Sequence, residues 1–310
     1  VTSPLSASPY EVLGVPVHAG EDELRRAYRL RLRHSHPDTG GTSAEFIRVK
    51  RAWELLGTPE ARAAYDDAAA RSSAAWAPRR ARAAGSGGAA ARRGGDTRPA
   101  GRSIGTPGGR RRALYLECAR ALGVDEAAAY SPAFVGAAPR EVRRLLADAL
   151  AEEATAAVLE RMGIGFTAWH SVTVGDDVAL DHVVMAPSGL IALASEDFGS
   201  PVRVRRGELI GGGVGGRTPA ADLLGCALAV ARGTRARFGG ALLILPDDAV
   251  PDPVTPLGPV RGVPTAVVRR SVLRSVLRRG VPGARVVGGP EMLETRARLL
   301  STLKVWEPAA

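Results

Sequence analysis

HSHPDTGG, residues 34–41, is the stretch on which the reading of this chain turns. Pro37, Gly40 and Gly41 mark a loop. The residues on both sides read as helices, so His36, Pro37 and Asp38 stand side by side at the end of an arginine-studded helix. Pro37 fixes its own φ and restricts His36, which stiffens the loop. Asp38 offers a carboxylate to a partner cation, and His36 donates or accepts according to its tautomer. A solvated turn also favours Asp and Gly for backbone reasons, so the flanks must decide.

Upstream, Leu24, Ala27, Tyr28 and Leu32 recur on one helix face and predict a helix over 21–34. Arg25, Arg29 and Arg33 fall four apart on another face, with Arg26 beside them. Glu21, Asp22 and Glu23 crowd the first turn, where the helix dipole favours them. Downstream, Thr42 and Glu45 have capping-box spacing. Phe46, Val49, Trp53 and Leu56 then repeat at helical intervals up to Gly57, a C-terminal stop. Thr58 and Pro59 read as the N-cap and first residue of a further short helix ending near Tyr65.

This pattern resembles the J-domain of DnaJ-type co-chaperones. The resemblance rests on SPYEVLGV (8–15), ELRRAYR (23–29), HPD (36–38) and AWELLGTPEARAAYD (52–66), about one fifth of the chain. It implies an all-α helical hairpin over 8–66 that binds a DnaK-type ATPase chaperone in its ATP state and stimulates hydrolysis. It implies that His36, Pro37 and Asp38 are the essential tripeptide. Arg25, Arg26, Arg29 and Arg33 would meet an acidic surface on that partner, and such a face speeds encounter more than it adds affinity. The third helix carries Arg48, Lys50 and Arg51 but no dense basic motif. No Gly/Phe-rich segment and no CxxCxGxG repeat follows, so the family's zinc-binding client module has no counterpart here.

A length of 310 residues is enough for about two domains. The net charge is +10, and its distribution is uneven. Between Asp67 and Arg112 lie eleven arginines against two acids, among Ala, Gly and Ser. Such a segment buries too little to offset its ordering entropy, so 67–110 is expected to be a disordered basic linker. Weak, sequence-independent contact with nucleic acid would be open to it. Lysines number only two, Lys50 and Lys304, so the arginine excess partly reflects genome composition. No apolar run reaches the ~18 residues of a membrane helix, and the opening VTSPLSASPYEV lacks the pattern of a secretory signal. Cys118 and Cys226 form no CxxC pair and no metal spacing, and read as buried thiols. A cytoplasmic protein without membrane contact, metal or cofactor is expected.

The second half predicts an α/β domain over 140–305, behind a helical connector over 111–139. A helix fits 112–124, and a long one runs from Arg140 to Gly163. FTAWHSVTV (166–174), VALDHVVMA (178–186) and LIALA (190–194) alternate as strands, with GDD (175–177) and Pro187–Gly189 as turns. A strand pair over 202–210, a helix over 219–238, strands at 241–245 and 264–268, and helices near 270–279 and 291–304 complete it. GGGVGG (211–216) lacks the Lys-Ser/Thr of a phosphate loop and reads as a flexible connection.

This half resembles the nuclease-related (NERD) family of the restriction-endonuclease-like fold. The resemblance is carried by AEEATAAVLERM (151–162), LDHVVMAPSGLIALAS (180–195) and ALLILPDDAV (241–250). It implies a helix Glu, a strand Asp and a Glu-x-Lys around Mg²⁺. Glu152 or Glu153 matches the first and Asp181 the second, but Ala194 and Glu196 stand where Glu and Lys belong. The positions are degenerate, with no metal and no catalytic residue. His170 and His182 read as isolated structural histidines. The sequence therefore predicts a non-enzymatic co-chaperone whose C-terminal domain targets it or holds a protein client. The alternative is a NERD-like nuclease or nucleic-acid-binding protein that carries a J-domain.

Overall fold

The computed structural model describes residues 3–73, 75–78, 101–174, 178–284 and 290–308. Contacts divide the chain into two units. One comprises the described residues up to Pro78 together with Ala119–Arg140, and the other comprises Gly101–Cys118 with Glu141–Pro308.

In the first unit, α1 (Pro9–Leu13), α2 (Glu21–Ser35), α3 (Ser43–Leu56) and α4 (Pro59–Ser73) follow one another, with a 3₁₀ turn at Pro37–Thr39. Capping boxes start α1 at Ser8 and α3 at Thr42, each satisfying two otherwise orphan groups. Tyr10, Leu13, Leu24, Val49, Ala52 and Leu56 form the buried core. Tyr28 stacks on Trp53 beside it, with ring centroids 4.5 Å apart. Arg62 of α4 ties the unit together. Its guanidinium donates to the carbonyls of Ala19 and Val17, both at 2.8 Å, and to Tyr10 Oη at 3.0 Å. The Tyr10 hydroxyl in turn donates to Asp66 at 2.9 Å. α6 (Pro132–Ala137) also belongs to this unit.

The second unit is a mixed sheet with helices on both faces. Its strands are β1 (Arg102–Ile104), β2 (Thr167–Val174), β3 (Val178–Ala186), β4 (Gly189–Ser195), β7 (Gly240–Leu245), β8 (Val254–Val260), β9 (Val263–Arg269) and β10 (Lys304–Val305). They run in the order β1-β2-β3-β4-β7-β9-β8, and β10 also pairs with β2. β2, β3 and β4 are antiparallel neighbours, whereas β4, β7 and β9 are parallel. β5 (Arg203–Arg205) and β6 (Glu208–Ile210) form a separate hairpin.

The central strands are apolar on both sides, as parallel strands covered twice must be. Leu190, Leu243 and Val267 face the layer containing α8 (Pro219–Thr234) and α10 (Pro290–Thr302). Ile191, Leu242 and Val268 face the C-terminal end of α7 (Arg140–Leu159) and α9 (Leu273–Arg279).

Several expectations need correction. α4 runs on to Ser73, eight residues beyond Tyr65, because the alanine-rich stretch favours helix. Residues 102–104 are a strand, anchored where the Gly101 and Arg102 amides donate to the Met162 and Phe166 carbonyls. The supposed connector helix is α5 (Gly109–Ala121), and its first ten residues belong to the α/β unit. Cys118 and Cys226 are half-buried rather than buried. The middle of the expected linker, 79–100, and the GDD turn lie outside the described residues. Among the described residues no helix is long and apolar enough to cross a membrane.

Candidate functional site

The tripeptide sits where α2 ends. His36 leaves the helix in extended conformation and caps the following 3₁₀ turn, its Nδ1 accepting the Asp38 amide at 3.3 Å. An Nδ1 that accepts carries no proton, so in this geometry Nε2 is the ring's donor. The His36 carbonyl collects three donors at 3.0 Å: the amides of Thr39 and Gly41 and the Thr39 hydroxyl. The same hydroxyl also bonds the last-turn carbonyl of Arg33 at 2.5 Å. The His36 ring meets the Phe46 edge of α3 at 5.2 Å between centroids.

Gly41 is required by space. A Cβ there would lie 2.2 Å from the Ser35 carbonyl carbon, so the loop folds directly against the end of α2. The result is a pinned backbone with accessible side chains. The side chain of Asp38 is 87% exposed and that of His36 45%.

Arg25, Arg26, Arg29 and Arg33 are all exposed on α2. Arg25 folds back on Glu21 at 3.4 Å, and Arg26 reaches the Asp22 carbonyl at 3.3 Å. Arg29 and Arg33 form no ion pair among the described residues, which leaves their charges to solvent.

The five positions singled out in the second half behave differently from one another. Glu152 of α7 and Asp181 of β3 come together, and Asp148, one turn before Glu152, joins them. All three face one cation, the guanidinium of Arg111 from α5. It donates to Glu152 Oε1 at 2.5 Å, Asp181 Oδ1 at 3.0 Å and Asp148 Oδ2 at 3.1 Å. The second oxygens of Glu152 and Asp181 take the amides of Gly108 and Ser195, at 2.9 and 2.7 Å. Gly108 has φ +70°, and a Cβ there would lie 2.7 Å from the Ala149 carbonyl oxygen, so only glycine lets α5 start this close to α7.

Glu153 lies apart and pairs with Arg112. Ala194 is packed against the core of the sheet, opposite Leu243 of β7. Glu196 is held bidentately by Arg217, at 2.6 and 2.9 Å. Sequence reasoning missed Arg111, Asp148 and Arg217. Only the i, i+4 spacing of Asp148 and Glu152 could have signalled that they share a helix face.

His170 and His182 are not isolated. They are register partners on β2 and β3, with their Nδ1 atoms 2.8 Å apart. The Ser195 hydroxyl donates to Thr155 at 2.9 Å, so it accepts from His182 Nε2 at 3.1 Å. His182 Nδ1 then accepts from His170 Nδ1, and His170 Nε2 accepts the Ser103 hydroxyl at 2.7 Å. The chain runs one way through two neutral rings. Burial pushes both imidazoles down to about 3.

In the charged cluster, four carboxyl groups face two guanidiniums. Burial pushes Asp148 up to about 7 and Glu152 up to about 8, with Arg111 opposing the rise in each and neighbouring acids adding to it. Such groups stabilise the fold below their unfolded values and lose that contribution as pH rises through the folded ones. The two histidines act in the opposite sense, but only below their ordinary value near 6.5. Between about pH 6.5 and 8.5 the carboxyl groups alone decide the sign. The unit should lose stability on the order of 2 kcal/mol over that window. Urea unfolding at the two pH values checks this, and the Asp148→Asn/Glu152→Gln variant should show no such slope.

Residues 8–66 match the DnaJ domain family model. Over 57 residues the chain is 49% identical to chaperone protein dnaJ A6 of Oryza sativa subsp. japonica, covering 18% of this chain and 14% of that one. It is 47% identical over 60 residues to chaperone protein DnaJ of Gloeothece citriformis, covering 18% and 16%. The DnaJ protein of a Synechococcus strain shares 43% over 65 residues, covering 20% and 17%. The chain thus spans only about a sixth of the length of these relatives. No solved structure matches it. Residues 8–66 are a DnaJ domain with an intact His-Pro-Asp loop.

Proposed function

We propose that the chain is a J-domain co-chaperone. Its first unit engages a DnaK-type ATPase chaperone in the ATP state and stimulates hydrolysis, and the α/β unit targets the complex or holds a protein client. The observation that carries this reading is the pinned loop. Its backbone is fixed by the His36 carbonyl and by Gly41, while His36 and Asp38 stay accessible. A partner that docks there need not order the loop first, which removes one cost of association. The uncompensated charges of Arg29 and Arg33 favour an acidic surface on that partner.

The His36→Gln variant tests the reading. It should reduce stimulation of the chaperone's ATPase to the unstimulated rate, with the helical circular dichroism unchanged. Stimulation equal to wild type at equal helicity would remove the proposal.

In this reading the α/β unit is a non-enzymatic domain of restriction-endonuclease-like type. A nuclease of that type needs a divalent ion held by clustered carboxylates. The residues present do not fit one, because the Arg111 guanidinium lies among Asp148, Glu152 and Asp181. Ala194 supplies no oxygen, and both oxygens of Glu196 are engaged by Arg217. The full chain should therefore leave single- and double-stranded DNA and RNA intact in Mg²⁺ or Mn²⁺. Cleavage that disappears in the Asp181→Ala variant would promote the nuclease alternative.

A further inference from the structure

We infer that a cleft in the α/β unit, remote from the Arg111 centre, binds a free nucleoside phosphate. The cleft has a volume of about 940 Å³, within the range of small-molecule sites. It lies between the end of α8, the start of α10 and the first residues of the parallel strands. Leu190 near the start of β4, Gly239 just ahead of β7 and Pro264 near the start of β9 line it. β4 meets the Arg111 centre at its other end, where the Ser195 amide donates to Asp181.

Three arginines line the cleft, Arg235 and Arg237 just beyond α8 and Arg298 of α10. Arg298 Nη1 donates to the Arg235 carbonyl at 3.0 Å, which ties α10 to the end of α8 and satisfies an acceptor at that helix end. Arg235 is the C-cap of α8, with φ +54° in the left-handed region where glycine is preferred. The chain keeps a long cationic side chain there at a conformational cost. Arg235 and Arg237 are exposed, and among the described residues their side chains form no ion pair or hydrogen bond. Two uncommitted guanidiniums this close in the chain suit a phosphate group, whose oxygens match their planar fork.

The rest of the lining narrows the ligand. Phe238 and Met292 give the cleft apolar surface, and Glu291 and Glu294 give it two carboxylates. A bare anion would use neither and would be repelled by the acids. An anion with a purely apolar body would gain nothing from the carboxylates. A nucleoside phosphate uses all three kinds of group. Its phosphate accepts from the arginines, its base covers the apolar surface, and its ribose hydroxyls and exocyclic amine donate to the glutamates. The cleft belongs to the second unit alone, so the assignment is independent of the first unit's partner.

The test is isothermal titration of the full chain with adenosine, guanosine, cytidine and uridine 5′-monophosphates, each beside its nucleoside and inorganic phosphate. At least one nucleotide should bind at one per chain with a dissociation constant of about 1 mM or tighter. Its nucleoside and inorganic phosphate should each bind at least about tenfold more weakly. R235A/R237A should weaken the nucleotide by about tenfold or more, with circular dichroism unchanged. If that double variant does not fold, R237A alone, outside every helix and strand, should weaken binding about threefold or more. Absence of saturable binding by all four nucleotides would overturn the inference. So would inorganic phosphate binding as tightly as the nucleotide, binding unchanged in the folded arginine variant, or tighter binding of a single-stranded oligonucleotide than of any mononucleotide.

Discussion

The guanidinium of Arg111 is the contact on which the α/β unit depends. α7 buries a face that carries two carboxyl groups, Asp148 and Glu152, and β3 adds Asp181. Burying these groups in their charged form is costly without a cation, and removing one partner of a buried pair typically costs about 3–5 kcal/mol. The chain meets this demand from outside the helix and strands that create it. α5 supplies the arginine, Gly108 lets α5 approach, and β1 joins the edge of the sheet beside β2. β1 and the first ten residues of α5 are therefore part of the domain rather than a tether to it.

The first unit uses an arginine in a comparable way, with the opposite consequence for function. Arg62 gathers two carbonyls and a tyrosine hydroxyl, so α4 clamps the loop between α1 and α2. That clamp, the Tyr28–Trp53 stack and the capping box at Thr42 hold a small core rigid. Rigidity is then spent on presentation, because His36 and Asp38 project from a backbone that cannot relax. One unit leaves its polar groups exposed at the loop, and the other turns its own inward and neutralises them internally.

What could be read in the sequence follows the range of the interactions. The His-Pro-Asp loop was legible because everything that defines it is local: proline geometry, a capping box a few residues on, and helical periodicity on both sides. Most strands and helices of the α/β unit were legible by alternation and periodicity, to within a few residues, but β8, broken by Pro256 and Pro259, and the two-residue β10 were not. The charged centre was only half legible. Glu152 and Asp181 could be singled out, but Arg111 stood in a run of arginines that composition marks as a solvated linker. Nothing local distinguishes it from Arg110 or Arg112. β1, three residues long, carries no pattern of its own. The pairing of His170 with His182 depends on strand register, which becomes visible only when β2 and β3 are aligned.

The central claim is that one face of the first unit, the arginine side of α2 with the loop that follows it, meets the ATP-bound chaperone. The most direct measurement is amide chemical-shift perturbation of the isotope-labelled full chain, titrated with a DnaK-type chaperone held in its ATP state. The account expects shifts and broadening concentrated at Arg25–Asp38, weakening as salt is raised because exposed charges contribute. Perturbations confined to the α/β unit, or none at all at saturating chaperone, would contradict it.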